Sequence, residues 1–163
     1  MREHDLAQLN IGRLRAPTDS PIVAEFMNAL DPINALADAS DGFVWRFQTD
    51  DGNATAERPF DDETILVNFS TWESVDSLAD YVYRTAHTEF LRRRREWFER
   101  FDGVVVVLWW VPSGHRPSVA EAIERLAHLE ANGPTPYAFT FSHRFDPGSA
   151  EPAAANELDT CPA

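Results

Sequence analysis

Apolar and polar residues alternate along residues 6–14, with Ala7, Leu9 and Ile11 on one side and Gln8, Asn10 and Gly12 on the other. This is the period of a half-buried strand. The same period returns in residues 43–48 (Phe43, Trp45 and Phe47 against Val44 and Arg46) and in residues 64–72 (Ile65, Val67 and Phe69 against Leu66, Asn68, Ser70 and Trp72). It returns again in residues 137–145, where Phe139, Phe141, His143 and Phe145 oppose Thr140 and Ser142. Residues 104–111 are instead uniformly apolar and bounded by turn residues, Asp102-Gly103 and Pro112-Ser113-Gly114, which predicts a strand buried on both faces. Trp109 and Trp110 then point to opposite faces, one towards a pocket and one into the core.

Three stretches carry helical spacing instead. Ser20 and Pro21 form a capped start, and Ile22, Phe26, Leu30, Ile33 and Ala37 follow as one stripe, with Asp31-Pro32 predicting a kink or a helix in two pieces. Residues 74–101 predict one long helix with Val75, Leu78, Val82, Ala86, Phe90, Trp97 and Phe101 inward. Its arginine run, Arg92 to Arg95, is read as a solvated face paired at i, i+4: Glu89 with Arg93, Arg92 with Glu96, Arg95 with Glu99, Glu96 with Arg100. Ser118 and Glu121 open the third helix, which Asn132-Gly133-Pro134 stops. Residues 49–63 read as a polar hairpin loop, and residues 146–163 as a disordered tail on a single domain spanning residues 1–145.

The order β-α-β-β-α-β-α-β predicts an α+β fold, a ferredoxin-like β-α-β-β-α-β unit with an extra helix and strand and an antiparallel sheet. The two long helices cover one sheet face, and the aromatic strands require a cover on the other. A homodimer packing sheet on sheet, a dimeric α/β barrel, answers that need; a monomer with the third helix folded under the sheet satisfies the same pattern.

The segments LAQLNIGRLRAP, LDPINALADASDGFVWR, VLWWVPSGHRPS and GPTPYAFTF, with the helix carrying Tyr83, His87, Phe90, Trp97 and Phe98, resemble the bacterial domain of unknown function 3291. Through it the chain is similar to the dimeric α/β-barrel superfamily, which includes antibiotic-biosynthesis and haem-degrading monooxygenases. The resemblance agrees with the fold derived from the pattern and brings no function by itself.

Charge and composition narrow the partners. The chain has 27 acidic against 14 basic residues, a formal charge of −13, which argues against binding a nucleic-acid backbone. No stretch has the length of a membrane span or the form of a signal peptide, so the expected setting is the cytoplasm. The one cysteine, Cys161, stands in the tail and receives no role.

The polar residues of the barrel-interior face, the one turned towards the second sheet, are the candidate chemistry. Gln8, Asn10, Asn68, Ser70 and Trp72 gather there, Thr140 and Ser142 are candidates to join them, and Trp45, Trp109, Trp110 and Tyr83 supply aromatic walls. Such a lining suits a small hydrophobic or aromatic molecule, or its polar groups bond one another and fill the space. His87, with Tyr83 one turn before it, stands at the edge of the helical stripe, where an imidazole serves as base or iron ligand. The resemblance implies a haem-degrading trio of a strand-one Asn, a Trp and a helical His, matched by Asn10, Trp72 and His87. His115 is read as a solvent-facing loop residue, His143 as packed, and His4 and His128 as lying in a frayed end and on a polar helix face. No metal-ligand spacing and no phosphate loop occurs. The cofactor is thus unknown, with none required and haem as one option. The leading function is an oxygenase-like enzyme, cofactor-independent or haem-assisted, acting on a small aromatic or polycyclic molecule; the rival is a non-catalytic ligand-binding dimer.

Overall fold

Strand β1 (His4–Arg13) runs through the middle of the sheet, antiparallel to β3 (Ile65–Trp72) on one side and to β4 (Val106–Pro112) on the other. Strand β2 (Phe43–Arg46) joins the outer side of β3, giving the order β2-β3-β1-β4 of a ferredoxin-like sheet. The computed structural model describes residues 1–48, 60, 62–85 and 87–149, with the backbone alone at His87 and Ser149. Nearly all of the 49–63 loop and residues 150–163 of the expected tail lie outside the described residues; Pro147–Ser149 form a 3-10 turn. Among the described residues no helix is long and apolar enough to cross a membrane.

Helix α1 (Ala24–Asp38) continues without a break through Pro32, so of the expected kink or two-piece helix the second does not form. Proline removes the N–H that Asn28 would otherwise bond, but Asn28, Asp31 and Pro32 are all exposed, so water can satisfy the carbonyl. At the start, the Ser20 side chain accepts a hydrogen bond from the Ile22 N–H at 3.3 Å, as its position predicts.

The predicted long helix is three pieces: α2 (Val75–Arg84), α3 (His87–Arg92) and α4 (Arg94–Trp97). A straight helix over residues 74–101 would be about 42 Å long, whereas an eight-residue strand such as β3 reaches only about 26 Å. Thr85 turns the chain out of helix in an extended conformation, and its hydroxyl donates to the Tyr81 carbonyl at 2.6 Å. The arm then folds back over the end of β1, where the Trp97 carbonyl accepts from the Arg15 N–H and the Arg13 carbonyl from the Glu99 N–H, both at 2.8 Å. None of the four expected i, i+4 pairs forms. Arg92 bonds Glu89 and Arg93 bonds Glu96, each at i, i+3, and Arg93 also reaches Glu25 of α1.

The second sheet face is covered from within the chain. Ala7, Leu9, Ile11, Val67, Phe69, Val107, Trp109 and Val111 pack against Ala122, Leu126 and Leu129 of helix α5 (Val119–Asn132). The third helix thus lies under the sheet, the alternative arrangement expected from the sequence, and these residues are buried within one chain. The expected fifth strand shrinks to an isolated bridge between Phe139 and Leu108. Local hydrogen bonds compete with a ladder there: Thr140 Oγ1 accepts from the His143 N–H and lies 3.1 Å from Ser142 Oγ. His143 is exposed, whereas His128 is buried, bonded to Thr135 Oγ1 at 2.9 Å and set edge-on to Tyr137. Both placements reverse the expected ones. His4 lies in β1 instead of a frayed end.

Gly12 is the point where the arm meets the sheet. A Cβ there would lie 2.7 Å from Cδ1 of Phe98, so only glycine lets this ring lie against β1. Gly12→Ala is expected to destabilise the fold by about 1–3 kcal/mol, with little further loss when combined with Phe98→Ala. Urea unfolding of the two single variants and the double variant checks this, and additive losses would contradict the contact.

Candidate functional site

The even-numbered residues of β1 face helices α1 to α4 instead of the expected barrel interior, and the register places polar residues opposite one another. Gln8 pairs with Ser70, and Asn10 with Asn68. Gln8 Nε2 donates to Asn68 Oδ1 and to Ser70 Oγ, both at 2.8 Å, and Trp72 Nε1 donates to the same Ser70 Oγ at 2.8 Å. This network is the floor of a cavity of about 200 Å³. Both readings of the polar residues therefore hold in part, since they bond one another and still leave open space.

The walls come from one face of each helix. Phe26, Leu30, Asn34 and Ala37 of α1 recur at helical spacing, Leu78, Tyr81 and Val82 come from α2, and Phe90, Leu91, Arg94 and Phe98 come from the folded arm. Strand β2 adds Phe43 and Arg46, and Phe47 follows just past its end. Arg46 reaches this face through a β-bulge between Phe43 and Trp45: Phe43 opposes Trp72, yet Trp45 opposes Thr71 and Arg46 opposes Ser70. The bulge breaks the expected common face of Phe43, Trp45 and Phe47, and sends Trp45 to the α5 side against Phe69.

Of the predicted site residues, Asn10, Asn68, Ser70 and Trp72 line the cavity together. Trp109 belongs to the α5 core, with its indole N–H on Glu121. Trp110 shares the cavity's sheet face but is not among the lining residues, and it packs against Phe139 while donating to the Phe145 carbonyl at 2.7 Å. Tyr83 is 53% exposed, edge-on to Phe141. Thr140 and Ser142 do not join the cavity. His87 begins α3, and its side chain lies outside the described residues. Sequence reasoning missed Arg46, hidden by the bulge, and Arg94, hidden in an apparently solvated charge run.

Among the described residues no group of three or more His, Cys, Asp or Glu stands close enough to hold a metal. Haem is larger than the drug-sized molecules that occupy pockets of about 300 Å³ and more, so a cavity of about 200 Å³ does not enclose one.

Tyr81 lies stacked on Trp72 with ring centroids 5.2 Å apart, and its hydroxyl donates to the Ile33 carbonyl at 3.3 Å. Burial is the main cause that pushes its phenol from 10.0 up to about 12; Asp38 adds to the shift and Arg46 opposes it. Between these values the unfolded chain has lost the proton that the folded chain keeps, so stability falls as pH rises through this window. The expected loss is roughly 2 kcal/mol at the top of the window. Urea unfolding between pH 9 and 12 checks this: Tyr81→Phe should flatten the decline, and an equally steep decline in the variant would count against it.

No curated protein matches the chain. Among solved structures it is similar to SnoaB from Streptomyces nogalater, a cofactor-independent oxygenase, at 14% identity over 71% of this chain and 96% of that one, with a TM-score of 0.43. It is also similar to PA3566 from Pseudomonas aeruginosa (14% identity, 72% and 99% covered, TM-score 0.46) and to Rv0793 from Mycobacterium tuberculosis (16% identity, 70% and 99% covered, TM-score 0.44). Likeness at this level carries no argument about activity. The match over residues 5–155, which takes in the whole sheet, its helical covers and the cavity, makes the chain a member of the family described as Domain of unknown function (DUF3291).

Proposed function

We propose that the protein binds a small aromatic molecule in the cavity between its sheet and helices α1 to α4, and that it acts on this molecule in an oxygenase-like reaction. The observation that carries the proposal is the lining, apolar aromatic walls over a floor of amides and a hydroxyl. An apolar cavity of about 150 Å³ accommodates benzene, so about 200 Å³ suits one substituted ring better than a polycycle. Ser70 Oγ already accepts from two donors, which directs its own hydrogen elsewhere, and the Asn68 amide N–H groups are not used by the Gln8 bond. With the Asn10 amide, these groups stabilise negative charge developing on a ligand oxygen.

In this reading Asn10, Asn68 and Ser70 orient the ligand, Trp72 holds Ser70, and His87, on the arm at the start of α3, manages protons. The homodimer expected from the sequence stays part of the proposal. The proposed setting is the cytoplasm.

Thermal melts with phenol and 1-naphthol test the binding. Both probes are expected to raise Tm, the first more efficiently, and Leu30→Trp, which fills the cavity from α1, should abolish the rise while keeping a cooperative melt. No rise with either probe, or a rise that persists in Leu30→Trp, overturns the site. Oxygen uptake with the bound probe tests the chemistry; binding without uptake overturns the oxygenase part and leaves a ligand-binding protein.

A further inference from the structure

The cavity reverses the charge of the protein that contains it. Against a formal charge of −13 overall, the described residues that line it include two arginines, Arg46 and Arg94, and among these described residues no aspartate or glutamate. Arg46 is held by Asp38 at 2.7 Å. Arg94 forms no ion pair with a carboxylate among the described residues, while Arg92 is held by Glu89 at 3.0 Å and Arg93 by both Glu25 and Glu96, at 2.7 and 2.8 Å. The break at Arg93 separates their fates: Arg93 turns to the carboxylates of α1 and α4, and Arg94 turns to the cavity.

A half-buried guanidinium gains most from a partner that satisfies its planar fork, and a carboxylate does so with two parallel hydrogen bonds. The floor has the same bias, since the remaining hydrogens of Ser70 and Asn68 are donors. Arg94 lies one helical turn before Phe98, whose ring covers Gly12, and the Asn10–Asn68 pair stands next to Gly12 in the register. Arginine and amides thus converge on one end of the cavity, and the aromatic walls extend beyond it.

We infer that the ligand is an aromatic carboxylate, its acidic group bound by Arg94 at the Gly12 end and its ring held among Phe26, Leu30 and Phe43. This inference rests on the proposed cavity site and adds the chemical class of its ligand.

Calorimetric titration at pH 7 with benzoate and with benzamide, its uncharged isostere, tests the inference. Wild type is expected to bind benzoate at least about tenfold more tightly than benzamide. Arg94→Gln should remove this preference by weakening benzoate binding far more than benzamide binding, and Arg94→Lys should keep part of it. Equal affinity for the two probes in wild type, or a preference that survives in Arg94→Gln, overturns the carboxylate assignment while the cavity reading stands. Binding of neither probe takes both down.

Discussion

Strand β1 is hydrogen-bonded along both edges, so it meets the rest of the molecule through its two faces, and its alternation decides what each face demands. The odd side is apolar from Ala7 to Ile11 and is met by Ala122, Leu126 and Leu129 of α5, with Tyr137 and Ala138 beside them. The even side carries Gln8 and Asn10, and an apolar helix laid over them would strand polar groups at about 1–3 kcal/mol each. Ser70 and Asn68, opposite them on β3, supply part of the compensation. The rest calls for space above them that water or a ligand can enter, so the cavity follows from the register of two strands.

That space persists because the helical cover is not one rod. Thr85 and Arg93 interrupt it, and the arm is fastened to the far end of β1 by the main-chain bonds at Arg13 and Arg15. Phe26, Phe90, Trp97 and Phe98 form an aromatic cluster there, with Phe26 edge-on to Phe98 at 4.9 Å and Phe90 stacked on Trp97 at 5.5 Å. Gly12 sets how closely this cluster approaches the sheet. With Trp97 and Phe98 held inward, the residue one turn earlier, Arg94, is brought to the cavity.

What was legible in the sequence was whatever depends on period alone. The alternation in residues 6–14 and 64–72 identifies the strands and the shared face of Gln8, Asn10, Asn68, Ser70 and Trp72, and the fold follows from the order of elements. The failures occur where a local event resets the period. One extra residue at the β2 bulge moves Trp45 away and brings Arg46 in, and no spacing in FVWRFQ signals it. The apolar stripe through Phe90 and Trp97 continues across the breaks at Thr85 and Arg93, because the folded arm needs the same residues inward as a straight helix would. Which sheet face α5 would take was also open, since its stripe of Ala122, Leu126 and Leu129 fits either a partner-free or a partner-covered sheet. Residues 137–145 alternate well, but Thr140, Ser142 and His143 find partners within the turn.

The charge of the whole chain and the charge of the cavity act at different ranges. At physiological ionic strength the screening length is about 8 Å, so most of the acidic surface contributes little to the energy of an anion already inside. Arg94 acts at contact, where apolar walls reduce screening and strengthen each interaction. The surface therefore acts mainly on approach, slowing an anion's entry, and added salt speeds that step more than it weakens the bound state. An anion-selective pocket in an acidic protein is thus consistent in energy. Its affinity is set by the few groups around Gly12, and the −13 charge sets how readily the ligand arrives.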